Sequence, residues 1–339
     1  MRFDACHPFR SIRFHAASTA LLAITGCLPP SLLITPVQVR PALQETVLSR
    51  DGWFAFDKIA MIDVSGVILN APKPKLIGAG EHAVSLLLEQ LDMARRDGSV
   101  KAVLLRINSP GGTVVASGLM HDEITHFRKT TGKPVIAVMM DVAASGGYYI
   151  ACACDEIIAQ PSTVTGSIGV VMQLFDLTGT MNLIGVRGDA IVSGAFKDAG
   201  SPLRTMRPEE RELFQAIVTD MYERFVAVVV AGRRLDESAV RRLADGRVYT
   251  ANQALDAGLI DRIATLREAI SLTKRRIGSK RVRLVAYQRP LVYRPNYYAA
   301  APAPTSFDVN LLNIDAASLG ISGTPRFMYL WAPGTWAGP

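Results

Sequence analysis

Three glycine-containing turns hold the residues of this chain whose types and spacing could do chemistry. They are Ser109-Pro110-Gly111-Gly112, Ala144-Ser145-Gly146-Gly147 and Gly166-Ser167-Ile168-Gly169, and each follows a strand-like run. Glycine lets a backbone come close to a ligand, and the first N–H groups of a following helix have no intrahelical partner. Such groups suit an anion or a developing oxyanion. None of the turns is a phosphate loop of the G-x-x-x-x-G-K-[ST] type or a G-x-G-x-x-G dinucleotide turn. One such turn alone reads as tight chain reversal; three together point to a site.

Ser145 sits where a strand-like run meets a small-residue helix, a position that would expose its hydroxyl much as a nucleophile elbow does, although the sequence is not G-x-S-x-G. A nucleophilic serine needs a base. Beyond the N-terminal leader the histidines are His82, His121 and His126; the last two lie in HDEITH, an i, i+5 pair that does not share a helix face. All three read as ordinary surface or interface histidines, so a Ser–His–Asp triad has no candidate. Lysine can replace histidine where burial lowers its pKa from ~10.4 toward neutrality. Lys197, in SGAFKDAGSP, stands among small and apolar residues rather than on a charged helix face. Asp198 is expected to point away from it.

The elements that must position these residues alternate. Strand-like runs start at Lys58, cover Val100–Ile107 and PVIAVMM, and recur in DEIIAQ. Helical patterns cover about 81–96, 114–129 and the segment after Ser145, and a long one runs from Arg207 to about Gly232 with Pro208 in its first turn. A strand–helix–strand unit is expected between Gly169 and about Ser193. A shorter helix, the strand RVYT and a helix over ANQALDAG follow. The alternation predicts an α/β fold with a largely parallel core.

The ends differ from this core. Arg10 and Arg13 precede an apolar run from Ala16 to Ile24 and then Thr25-Gly26-Cys27, the layout of an export signal; the small residues before Cys27 resemble a bacterial lipobox. That likeness implies cleavage before Cys27 and its lipidation, with Pro29-Pro30 breaking any longer helix. The expected organisation is a signal peptide over 1–26, a tether over 27–56, a catalytic domain over 57–290 and a Pro/Ala-rich apolar tail over 291–339. The tail shows neither helical nor strand periodicity and reads as mostly irregular. Cys152 and Cys154, two apart in a helix, read as buried small hydrophobes rather than a bridge or a metal pair. The net charge is +7 and the mean hydropathy +0.21. No Lys/Arg cluster stands beside interleaved aromatics in the sequence, so the charge suggests solubility or attraction to anionic lipid, not nucleic-acid binding.

NSPGG, ASGGYY, PSTVTGSIGV, SGAFKDAGSP and VYTANQALDAGLID, in this order, resemble the signal peptide peptidase A family over about residues 57–290, and the 52-residue spacing of Ser145 and Lys197 fits its half-length members. The resemblance implies a Clp protease/crotonase-like fold of stacked parallel strands with flanking helices, in a single domain. It also implies a serine–lysine dyad, with Ser145 as nucleophile and Lys197 as base. Ser167 would orient the lysine, and the N–H groups of Gly112 and Gly146 would form the oxyanion hole. It implies no metal or cofactor. The implied substrates are hydrophobic peptides such as cleaved signal peptides. The implied setting is a membrane-anchored homo-oligomer outside the cytoplasm, an octamer whose serine and lysine come from neighbouring protomers. The apolar tail has no secure counterpart in the family; the open expectations are that it packs on the oligomer, occupies the substrate groove, or is disordered. Competing expectations are a crotonase-like enzyme acting on acyl-CoA, which would need no dyad, and a non-catalytic membrane scaffold.

Overall fold

Alternating burial along consecutive strands builds the molecule around one sheet. In β2 (Asp57–Ser65), Ala60 and Ile62 face one side and Ile59 and Met61 the other. β3 (Val100–Ser109) divides Val103 and Leu105 from Ala102 and Leu104 in the same way. Strands apolar on both faces belong in the middle of a sheet covered on both sides. A computed structural model of the chain describes residues 42–70, 81–290, 297 and 327–331, all in one compact unit. Its largest sheet runs in the order β1-β11-β2-β3-β5-β6-β10. Here β1 is Gln44–Arg50, β5 Val135–Ala144, β6 Glu156–Ala159, β10 Arg262–Ile263 and β11 Val282–Gln288. All pairings along it are parallel except β1 with β11.

Helices cover both faces. α1 (Ala83–Arg96), α2 (Val114–Thr131) and α3 (Gly146–Ala151) contribute to the larger core, with Phe225, Val226 and Val229 from α5 (Pro208–Arg233). Leu266 and Ala269 of α8 (Leu266–Arg276) close the other face. The short helices are α4 (Thr178–Leu183), α6 (Glu237–Leu243) and α7 (Ala251–Asp256). The mostly parallel α/β architecture expected from the sequence is the one observed.

Three segments differ from expectation. The stretch read as tether up to residue 56 contains β1, which adds to the sheet edge along β11. After β8 (Val171–Met172) and α4 no second strand forms before Ser193. In the tail, Phe327–Leu330 is a strand, β12, set antiparallel between β4 (Gly111–Thr113) and β8. Local sequence cannot show such a strand, because its pairing partners lie more than 150 residues away. Cys27 lies outside the described residues, and among those described no helix is long and apolar enough to cross a membrane.

One buried ion pair crosses the sheet centre. Arg106 of β3 lies opposite Asp63 of β2 and donates through Nε at 2.8 Å and Nη2 at 2.9 Å to the two carboxylate oxygens. Its Nη1 donates to the Tyr297 carbonyl at 2.7 Å. Removing one partner of such a pair leaves the other charge buried and uncompensated. Asp63→Ala is expected to cost about 3–5 kcal/mol in urea unfolding, whereas Asp63→Leu combined with Arg106→Met recovers most of that loss.

Candidate active site

The site begins where β5 changes neighbours. Ile136–Met139 pair with β6, whereas Val142–Ala144 pair with β7 (Val164–Gly166). Between the two stretches the β3–β5 register breaks, from Ile107 opposite Met139 to Ser109 opposite Ala143. Polar side chains satisfy the backbone at this break. Asn108 Oδ1 accepts from the Val142 N–H at 3.1 Å, and its Nδ2 donates to Asp141 at 2.9 Å. Thr163 Oγ1 donates to the Met140 carbonyl at 2.6 Å, and Thr165 Oγ1 to that of Ala143 at 2.7 Å.

This arrangement places two predicted residues side by side. Ala144 and Gly166 are the last partners in the β5–β7 ladder, so Ser145 and Ser167 leave adjacent strands at the same level. The Ser145 N–H donates to the Gly166 carbonyl at 2.7 Å, and the Ser167 N–H to the Arg247 carbonyl at 2.8 Å. Both serines adopt positive φ, 53° and 48°. That conformation is costly for a residue with a Cβ and persists only where the surroundings enforce it. Ser145 is 1% exposed and immediately precedes α3.

The glycines are fixed by contact. A Cβ on Gly112 would stand 1.8 Å from the Ile68 carbonyl oxygen, and one on Gly146 would stand 2.4 Å from Ser117 Oγ and 3.1 Å from the Gly112 nitrogen. The N–H groups of Gly112 and Gly146, expected as a pair from the resemblance, belong to backbones too close to admit a Cβ between them. Ser109 supports the turn, its Oγ donating to the Gly66 carbonyl at 2.7 Å and accepting from the Gly111 N–H at 3.1 Å.

A carbonyl already lies here. Tyr329 of β12 is opposite Gly112, and the Trp331 N–H donates to the Pro110 carbonyl at 2.8 Å. The two-residue alternation of an antiparallel ladder makes Tyr329–Gly112 a hydrogen-bonded pair, with the Gly112 N–H toward the Tyr329 carbonyl. The point where a Gly111 Cβ would stand is 2.0 Å from that carbonyl oxygen and 2.7 Å from the Gly146 nitrogen. The Tyr329 ring is fully buried, stacked on Tyr149 at 5.1 Å and tilted on Phe225 at 4.6 Å, and its hydroxyl donates to the Met221 carbonyl at 2.9 Å. Beyond Leu330 and Trp331 a cleft of about 530 Å³ reaches Ser167, Ile168 and Tyr222.

Sequence reasoning missed Tyr329, Asn108 and Ser117. An apolar quartet, FMYL, between Pro325 and Pro333 was the available signal for β12. Ser117 carries a buried hydroxyl with no hydrogen-bond partner among the described residues, closing the space beside Gly146.

Lys197 is not brought to the serines within one chain. Its side chain is exposed and has no hydrogen bond or ion pair among the described residues; only its backbone N–H is engaged, with the Gly194 carbonyl at 3.0 Å. The turn carrying it is nonetheless well held. Arg207 donates to the Ala195 carbonyl and lies 5.9 Å over the Phe196 ring, and Arg204 donates to both Asp198 carboxylate oxygens at 2.7 and 2.8 Å. Asp198 therefore faces Arg204. Hydrogen bonding from Arg204 also holds the Asp198 carboxyl below its ordinary range. Glu210, at the start of α5, ties both arginines together.

The histidines serve elsewhere. His82 caps α1 by accepting from the Ser85 N–H, and His121 packs edge-on against Tyr149, its pKa lowered by burial. Cys152 and Cys154 are free and buried; burial pushes the Cys152 thiol up to about 12.

A buried serine on a strained strand-to-helix turn, beside closely packed glycine backbones in a parallel α/β fold, is an arrangement that can serve covalent acyl transfer. The chain belongs to peptidase family S49, whose sequence model matches residues 127–280. That span holds Ser145, Gly146, Ser167 and Lys197 but begins after Gly112. The chain is 38% identical over 218 residues to the putative signal peptide peptidase SppA of Enterococcus faecium, a match covering 64% of this chain and 63% of that protein. It is 37% identical over 212 residues to the putative protease slr0021 of Synechocystis sp., covering 62% and 72% of the two chains. The match to the chloroplastic serine protease SPPA of Arabidopsis thaliana is 37% over 244 residues, 71% of this chain and 36% of the relative. The chain thus spans less than two thirds of the Enterococcus and Arabidopsis proteins.

The Glu210 carboxyl gives the lysine turn a pH signature. Hydrogen bonds from Arg204, and then from Arg207, lower its pKa from 4.5 to about 2 against an opposing effect of desolvation. A depressed folded-state pKa adds stability above the unfolded value, and that stability is lost as pH falls toward the folded one. Unfolding midpoints measured between pH 5 and about 2 are expected to fall less steeply for Glu210→Gln than for wild type.

Proposed function

We propose that this protein is a membrane-anchored serine endopeptidase that hydrolyses hydrophobic peptides with Ser145 as nucleophile and Lys197 as general base. The observation that carries the reading is the Tyr329 carbonyl, held in a β-strand opposite Gly112 and close to the turn that carries Ser145 and Gly146. A substrate bound as β12 is bound would gain main-chain hydrogen bonds from β4 and β8, with side chains seated in apolar pockets. Ser145 Oγ attacks the scissile carbonyl carbon and its proton passes to the neutral Lys197 amine. The tetrahedral oxyanion is stabilised by Gly112 and Gly146. Its collapse expels the amine, which takes the proton from Lys197, and water hydrolyses the acyl-enzyme with Lys197 again as base. Ser167, adjacent to Ser145, orients the lysine.

The exposure of Lys197 favours a base supplied by a neighbouring protomer in a homo-oligomer, an octamer in our reading. Residues 173–207, which carry it, bury no side chain, and their apolar groups include Leu183 at 88% exposure, Ile184 and Ile191. An exposed segment this rich in large apolar side chains is suited to self-association. Lipidated Cys27 would anchor the assembly, with the catalytic domain outside the cytoplasm.

Hydrolysis of a hydrophobic fluorogenic peptide is expected for the assembled wild type and not for Ser145→Ala or Lys197→Ala alone. Mixed assemblies of the two variants should regain part of the activity, because some sites would combine an intact serine with an intact lysine. Activity unchanged in both single variants would remove the dyad, and absence of rescue in mixed assemblies would remove the shared site. The same groove is occupied by the chain's own β12, so the tail acts as a self-inhibitor. A tethered segment competes at an effective concentration near ~1 mM, so truncation before Phe327 is expected to lower KM at least about tenfold. An unchanged KM would count against self-inhibition.

A further inference from the structure

The turn between β1 and β2 exposes Trp53, Phe54 and Phe56 to 90%, 72% and 71%. Large aromatics this exposed on one short turn mark an interaction surface rather than a solvent face. The fold sets beside them a basic stretch more than 200 residues away in sequence, Lys274 to Arg283. The Asp51 N–H donates to the Val282 carbonyl at 3.1 Å, Lys274 donates to Asp51 at 2.6 Å, and Arg283 Nη2 donates to the Phe56 carbonyl at 3.3 Å.

The positive charge here is largely uncompensated. Arg50 and Arg283 stand directly opposite one another across the β1–β11 ladder, a like-charge pairing that is unfavourable unless an anion intervenes. Among the described residues no acid pairs with Arg50, Arg275, Lys280 or Arg281, and Arg283 Nε is buried without a hydrogen-bond partner. The acids nearby are engaged: Asp51 with Lys274 and the Val282 N–H, Asp57 with Ser279.

We propose that this aromatic turn with its basic rim docks on an anionic lipid bilayer, a membrane contact made by the folded domain itself. Trp and Phe suit the headgroup–acyl boundary, and surrounding Lys and Arg are drawn to anionic headgroups. The placement fits. β2 and β11 begin at this turn, whereas Ser145 follows the C-terminal end of β5, which is parallel to β2 through β3. Docking therefore engages the end of the sheet away from Ser145 and leaves the groove between β4 and β8 uncovered.

The test is fluorescence of the full chain reconstituted in vesicles whose acyl chains carry bromine, a short-range tryptophan quencher. Vesicles are phosphatidylcholine alone, or with about one third phosphatidylglycerol. Subtracting the Trp53→Phe signal removes the contributions of Trp331 and Trp336. We expect the Trp53 component to be quenched at least about twofold more in the anionic vesicles, with the excess lost at high salt and in Lys280→Glu/Arg281→Glu. These substitutions are on exposed side chains, and a matching melting temperature confirms the fold; if it drops, Lys280→Gln/Arg281→Gln gives the same comparison. Equal quenching in both vesicle types, or none, overturns the proposal. So does protection of Trp53 from acrylamide in the lipid-free protein, which would assign the surface to a second copy of the chain.

Discussion

Strand β5 cannot keep one set of neighbours along its whole length, and the arrangement of the site depends on how the sheet accommodates this. Its first half is locked between β3 and β6, and its second half must reach β7. A register break in mid-sheet strands backbone N–H and C=O groups in an apolar interior, where each unpaired group is costly. Asn108, Thr163 and Thr165 take up those groups, so the break is stable. With β5 and β7 side by side, their last ladder partners deliver Ser145 and Ser167 together, and the Gly166 carbonyl fixes the Ser145 N–H. The positive φ of both serines follows from chains that must turn sharply immediately after a ladder that holds them fully extended.

The two halves of the proposed dyad have opposite physical characters. Ser145 is buried, strained and surrounded by backbones packed so closely that Gly112 and Gly146 accept no side chain. Lys197 stands on an exposed stretch whose shape comes from ion pairs among Asp198, Arg204, Arg207 and Glu210 rather than from a core. A charge network holds a turn without burying it, so the lysine keeps a defined place on a surface that remains available to a partner. Ser145 is thus preorganised by the fold, and Lys197 by local electrostatics.

The C-terminal strand connects these features. β12 supplies the missing strand between β4 and β8, and Tyr329 completes the aromatic group formed by Tyr149 and Phe225. Membership of peptidase family S49 gives this geometry its context, because a groove that holds an extended segment edge-on is suited to a peptide chain. The buried Asp63–Arg106 pair joins β2 and β3 in register, in the two strands that lead toward the Ser109–Gly112 turn.

The sequence by itself determined the alternation of strands and helices, the parallel α/β class, and Ser145 and Ser167 as strand-end residues. These follow from local rules: apolar runs, helix starts and glycines each act within a few residues. Gly112 and Gly146 lie close for the same reason, since short turns after adjacent strands must meet. Tertiary structure alone decided the rest. It joined residues 50–56 to the basic stretch at 274–283, drew β1 out of an expected tether, and placed Tyr329 against Gly112. It also left Lys197 apart from Ser145 within one chain. Each of these depends on pairing between segments remote in sequence, or on its absence, and edge strands of few residues carry too little periodicity to announce their partners.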